Sequence, residues 1–92
     1  MTFVIDTHSP RPNPHVIAKR MGEVTVLVHL PTNRILELNE TGSRVWAMVC
    51  EGLDVDRIAL SLVEEFDVEK ARAADEVKEL LERFRSEGLI AL

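Results

Sequence analysis

Ninety-two residues, 46% of them apolar and 29% charged, describe one soluble globular domain with a modest core, not a disordered chain. No apolar run is long enough to span a bilayer, the start MTFVIDTHSPRPNPH lacks the basic-then-apolar layout of a signal peptide, and the single cysteine, Cys50, rules out an internal disulfide and suits a reducing cytoplasm. Five Lys/Arg face four Asp/Glu in residues 1–50, whereas six face twelve in residues 51–92, so the C-terminal half repels phosphate backbones and argues against nucleic acid as a partner.

Residues 6–14 (DTHSPRPNP) hold three of the four prolines, which predicts an extended, poorly ordered lead-in over residues 1–13 before a domain at residues 14–92. His15–Met21 is a candidate first strand and Gly22-Glu23 a turn. Val24–Leu30 is β-branched and is the surest strand, with Val24, Val26, Val28 and Leu30 on one face. Thr25, Leu27 and His29 take the other face, which Leu27 suggests is partly covered too. Pro31-Thr32-Asn33 is turn chemistry, and Arg34–Leu38 follows as the third strand of an antiparallel arrangement. On that strand Leu36 and Leu38 share a face and should pack inward, while Ile35 and Glu37 face the other way.

Asn39 has the side chain of a helix N-cap, although Thr41 can serve instead, and Glu40 suits the positive first turn. The helix should reach about Glu51, burying Val45, Trp46, Val49 and Cys50, and Gly52 stops it. Asp54 caps a second helix to about Phe66, with Ile58, Leu62, Val63 and Phe66 inward. A third helix from about Glu69 to Glu87 carries Ala73, Val77, Leu80, Leu81 and Phe84 as an amphipathic stripe. Gly88 ends it, and residues 89–92 pack back or add a short strand. Three short strands followed by three helices make an α+β domain, winged-helix-like in a permuted order.

Chemistry is hard to find in this chain. His8, His15, His29 and Cys50 lie far apart and no pair has metal-ligand spacing, which leaves surface histidines and a core thiol. Cys50 sits near the C-terminal end of its helix, where the dipole opposes a thiolate. The carboxylate pairs Glu64-Glu65, Asp54/Asp56 and Glu79/Glu82 are most simply solvated helix faces, and no glycine-rich phosphate loop exists. Three helices with a hairpin can form a DNA-reading module, but neither the second nor the third helix is basic enough to neutralise a row of phosphates. A sheet edge, by contrast, is a template for an added peptide strand. Ile35 is either part of such a site or an ordinary half-exposed surface residue.

The segments VTVLVHL…RILELNETGSRVW, EGLDVDRIALSLVEEFDV and ADEVKELLERFRSEGLI together resemble the PqqD-like family, the precursor-recognition domains of ribosomally made, post-translationally modified peptides. The likeness spans residues 14–91. Its most telling pieces are the Leu38-Asn39-Glu40-Thr41-Gly42 junction followed by Val45-Trp46, the Phe66-Asp67-Val68 close of the second helix, and Gly88-Leu89-Ile90. A free-standing chain of this length most resembles the discrete leader-binding protein of lasso-peptide clusters. The resemblance implies a winged-helix-like domain without catalysis, and no cofactor or metal is expected. It implies that a precursor's leader binds as an extra strand between the third strand and the third helix. Delivery to a transglutaminase-like cysteine leader peptidase would follow, and then ring closure by an asparagine synthetase-like cyclase. A recognition protein for another modified peptide or for a quinone cofactor precursor, or a small winged-helix DNA- or protein-binding module, stays as the alternative.

On that reading the leader lies along Thr32–Leu38, using the backbone of Arg34, Ile35, Leu36, Glu37 and Leu38, with Ile35 and Glu37 meeting its side chains. Two rows of the third helix compete for the groove side: Ala74, Lys78, Leu81 and Arg85, or Glu76, Leu80, Arg83 and Glu87. The first is preferred, because Ala74 leaves room for a large side chain and Lys78 and Arg85 can pair with leader carboxylates. Val77 and Phe84 would floor the pocket.

Overall fold

The computed structural model describes residues 9–91; residues 1–8 of the expected lead-in, and Leu92, lie outside the described residues. The strands are β1 (Arg11–Pro12), β2 (Val16–Met21), β3 (Val24–His29) and β4 (Arg34–Leu38). The helices α1 (Glu40–Cys50), α2 (Val55–Phe66) and α3 (Lys70–Ser86) follow, and β5 (Ile90–Ala91) closes the order. β2, β3 and β4 form an antiparallel sheet in chain order, as the alternation and turn residues predict. Gly22 (φ 66°) makes the first turn, and Asn33 in the left-handed region (φ 55°) ends the short 3-10 turn Leu30–Thr32 that makes the second. Among the described residues no helix is long and apolar enough to cross a membrane.

The helices begin and end where their caps require. The Asn39 side chain accepts the Gly42 N–H at 2.8 Å and Asp54 accepts the Arg57 N–H at 2.8 Å, each taking up a donor that the first turn leaves unpaired. Asp67 at φ 54° ends α2, and Gly88 at φ 77° follows α3. The core joins Leu27, Leu36 and Leu38 of the sheet to Val45, Trp46, Met48 and Val49 of α1, Ile58 and Leu62 of α2, and Ala73, Val77, Leu81 and Phe84 of α3. Trp46 and Phe84 meet edge to face with ring centroids 5.7 Å apart.

Three expectations need correction. First, the buried face of β3 is that of Thr25 and Leu27; Val24, Val26 and Val28 are only half-buried and stand on the opposite face. The register explains this, because Leu27 pairs with Leu36 and Thr25 with Leu38, and the two leucines face the helices. Second, Cys50 is exposed, and Met48 takes the core place next to Val49. α1 ends at Cys50, so the last position of the stripe overhangs the edge of the core. Partial desolvation, aided by neighbouring Glu51, pushes the thiol pKa up. Third, the end of the lead-in is extended but not loose. Pro10 is buried, Arg11 and Pro12 pair with Ala91 and Ile90, Asn13 N–H donates to the Leu89 carbonyl at 2.9 Å, and the Asn13 amide donates to the Gly88 carbonyl at 2.8 Å.

α1 and α2 are also joined by a forked ion pair, Arg44 Nε to Glu65 at 2.7 Å and Nη2 at 2.9 Å. The Arg44 hydrogen bonds hold the Glu65 carboxyl below its ordinary range. A lowered folded-state pKa means that this contribution is complete above the usual glutamate value and is lost as pH falls through the lowered one. The pair is partly exposed, so it is worth less than about 1 kcal/mol. Glu65→Gln is expected to lower the thermal midpoint by a few degrees at pH 7 and to leave no difference from the wild type at pH about 2, as followed by circular dichroism.

Candidate functional site: a free sheet edge opening into a cleft

β4 lies at the edge of the sheet, and among the described residues no strand pairs with its outer side. Its side chains alternate as expected: Leu36 and Leu38 are buried, while Ile35 and Glu37 are exposed on the outer face. The free edge ends at Leu38, whose carbonyl accepts a hydrogen bond from the buried Ser43 hydroxyl at 3.2 Å. The chain then turns directly into α1. Gly42 permits that turn: a Cβ there would stand 3.3 Å from Leu38 Cβ and 3.3 Å from the capping Asn39 Oδ1.

At this corner an open cleft of about 410 Å³ lies between the start of α1, α2 and α3. Val45, Leu62 and Leu80 supply its apolar lining, Asn39, Thr41 and Gly42 its α1 lip, and Glu76, Glu79 and Arg83 its α3 wall. At the opposite end of β4, Arg34 reaches Glu87 just past α3, Nε to Oε1 at 3.2 Å. The start of β4 therefore lies beside the end of α3, and Asn39, just past the end of β4, faces the middle of α3 across the cleft, so the two elements run in opposite directions.

The cleft uses the row of α3 that the spacing argument passed over. Ala73, Val77, Leu81 and Phe84 face the core, and about 100° per residue puts Glu76, Leu80, Arg83 and Glu87 on one shoulder and Ala74, Lys78 and Arg85 on the other. Which shoulder meets the strand depends on how the helix is docked, which periodicity does not contain. Lys78 stands about 160° around the helix from Leu80, and Arg85 is paired with Glu82 on its own helix. Leu81, from the preferred row, and Val77 and Phe84, the expected floor, are buried in the core and do not line the cleft. Thr32 sits in the turn, its hydroxyl hydrogen-bonded to His29 Nδ1 at 2.8 Å. The lining residues that sequence reasoning did not assign to a site are Asn39, Thr41, Gly42, Val45, Leu62 and Glu79. The one available signal was Leu80, the member of the α3 stripe that the core leaves half-buried.

A second surface is the outer face of the sheet. Register brings Ile17, Val28 and Ile35 into one row, Met21 and Val24 into another, with Val26 between Lys19 and Glu37. Ile17, Met21 and Ile35 are 55%, 59% and 68% exposed. Singly such residues are unremarkable; side by side they form an apolar patch with nothing packed on it among the described residues.

Against known proteins, the profile of the family described as Coenzyme PQQ synthesis protein D (PqqD) matches residues 25–90, more than two thirds of the chain. The chain belongs to the PqqD family. Two solved structures share the fold of this PqqD-family chain, each with a TM-score of 0.84. One is TbiB1 in complex with the TbiA(beta) leader peptide, 22% identical, the match covering 87% of this chain and 93% of that one. The other is a lasso peptide synthetase B1 complexed with the leader peptide, 19% identical, covering 91% of this chain and 99% of that one. No protein of curated function matches. The α+β, winged-helix-like architecture read from the sequence is thus the architecture of the PqqD family.

Proposed function

We propose that this PqqD-family chain is a recognition protein that binds the leader of a ribosomally made precursor peptide, most simply that of a lasso peptide, and hands the precursor to a leader peptidase. The observation that carries the proposal is the unpaired edge of β4 leading straight into the cleft. An extended peptide added there gains main-chain hydrogen bonds whatever its sequence, and the cleft supplies selectivity through one anchoring side chain. The two structures of the same fold, both solved with leader peptides, support this reading.

Magnitudes favour an apolar anchor. Ordering a disordered leader costs a few kcal/mol, and an exposed charge pair returns about 0–1 kcal/mol. An aromatic ring that removes about 100 Å² of apolar surface from water contributes about 2.5 kcal/mol at 25 cal/mol per Å². The protein needs no catalysis of its own; it acts in the cytoplasm as the peptide-holding partner of a transglutaminase-like peptidase, ahead of an asparagine synthetase-like cyclase.

Fluorescence titration with lasso-peptide leader peptides tests the reading. Saturable binding that a proline inside the docked segment abolishes is expected; equal binding of the proline peptide would overturn strand addition. The family description favours one competing substrate, the peptide precursor of a quinone cofactor, and the same titration with that peptide separates the two.

The outer face of the sheet is the surface we assign to the peptidase, because its exposed apolar side chains Ile17 and Met21 lie on β2, the strand farthest from the free edge of β4. Ile17→Glu, on the strand farthest from β4, should leave leader affinity within twofold. The same change should abolish co-purification with a co-expressed transglutaminase-like leader peptidase. Co-purification at the wild-type level would move the docking surface elsewhere.

A further inference from the structure

Resting on the leader-binding reading, we infer that the charge order along α3 selects the charge order of the peptide: a lysine or arginine, then the apolar anchor, then a carboxylate, from N- to C-terminus. From the start of α3 toward its end, the cleft wall presents Glu76 and Glu79, then Leu80, then Arg83. Neither Glu79 nor Arg83 has a side-chain partner among the described residues, and Glu76 meets only Arg72 on its own helix, at 3.3 Å. The next charges along the groove, Glu87 and Arg34, neutralise each other. The N-terminus of α1 on the opposite lip does not supply the missing cation. Its Gly42 N–H is capped by the Asn39 side chain, its Ser43 N–H by the Asn39 carbonyl, and Glu40 already occupies its first turn.

Direction follows from topology. The end of α3 meets the start of β4 through the Arg34–Glu87 pair, and the middle of α3 faces Asn39, just past the end of β4. A strand added antiparallel to β4, continuing the antiparallel sheet, therefore travels the same way as α3. Its inward-facing side chains recur about every 6.7 Å, while Glu76 and Arg83 are about 10.5 Å apart along the helix axis. Three inward positions i, i+2 and i+4 span about 13.4 Å, a little more than the Glu76–Arg83 distance, so in the extended segment just before the part paired with β4 the outer two, through long charged side chains, reach Glu76/Glu79 and Arg83 while the middle one enters beside Leu80. The pattern reverses the expectation from Lys78 and Arg85, which would have called for acidic peptides. Exposed charges contribute little affinity, but like-charge encounters exclude wrong partners, so this is a device for discrimination and approach.

A displayed library of random 14-residue peptides, selected on the immobilised full chain in low salt, tests both the reading and its refinement. Enrichment of basic–apolar–acidic peptides is expected, binding about tenfold tighter than the same peptides with the two charges exchanged, and losing most of that preference in 0.5 M salt. The exchanged variant Glu79→Lys/Arg83→Glu, altered only at exposed positions and checked for fold by circular dichroism, should prefer the exchanged peptides. Enriched peptides without charge order, or with the opposite order, overturn this inference and leave the strand-addition reading standing. A library from which nothing is enriched overturns the strand-addition reading itself.

Discussion

Leu80→Glu is expected to weaken leader binding by ten- to a hundredfold while the variant unfolds within a few degrees of the wild type. Leu80 is the apolar side chain of α3 that the core leaves half-buried and that lines the cleft beside Val45 and Leu62. A carboxylate there removes the apolar wall, adds a third negative charge next to Glu76 and Glu79, and leaves the packing of Val77, Leu81 and Phe84 intact. Buried apolar anchors carry most of the energy of small interfaces, which sets the size of the loss. Lys78→Ala and Arg85→Ala, on the far shoulder of the helix, should change affinity less than twofold. Leu81 is not a probe of the site: it is 3% exposed, and a polar residue there tests folding. Fluorescence polarisation with a labelled leader, run beside a thermal melt of each variant, separates the two effects; an affinity of Leu80→Glu equal to that of the wild type would remove the cleft from the binding surface.

Phe84→Ala should act on the fold itself. The ring is 1% exposed and packs edge-on against Trp46, joining α3 to α1. Truncating a buried phenylalanine costs about 3–5 kcal/mol, and a domain of this length has about 5–14 kcal/mol in all. At about 4–8 °C per kcal/mol the midpoint should fall by roughly 12–40 °C. The chain has one tryptophan, and it is the residue that loses its neighbour, so intrinsic fluorescence reports the transition directly. A fall of less than about 5 °C would mean that the Trp46–Phe84 contact does not organise the core.

Much of this fold was legible because local and global signals agree. Asn39 and Asp54 announce two helix starts, Gly52 and Gly88 announce two ends, and the stripe from Ala73 to Phe84 admits only a helix packed on one side. The strands were visible in their β-branched runs and turn residues. What was hidden depended on relations between elements. Both faces of β3 carry apolar residues, so alternation alone does not say which is buried; the pairing with Leu36 and Leu38 does. The stripe of α3 has two shoulders of similar composition, and only the Arg34–Glu87 contact shows which one meets the strand. The β1–β5 pair joins residues about 80 apart, through two strands too short to carry any periodic signal. The free edge was readable from the sequence; the cleft was not, because its walls come from three helices and become neighbours only after docking.

The pairing of Arg11 with Ala91 sets the two described ends of this fold side by side. Anything spliced to either end, whether an enzyme, a fluorescent protein or a bead, would pull from one pole of the domain. A loop bridging the two ends, with fresh termini opened at Gly52 between α1 and α2, would rearrange the order of the chain without cutting any strand or helix.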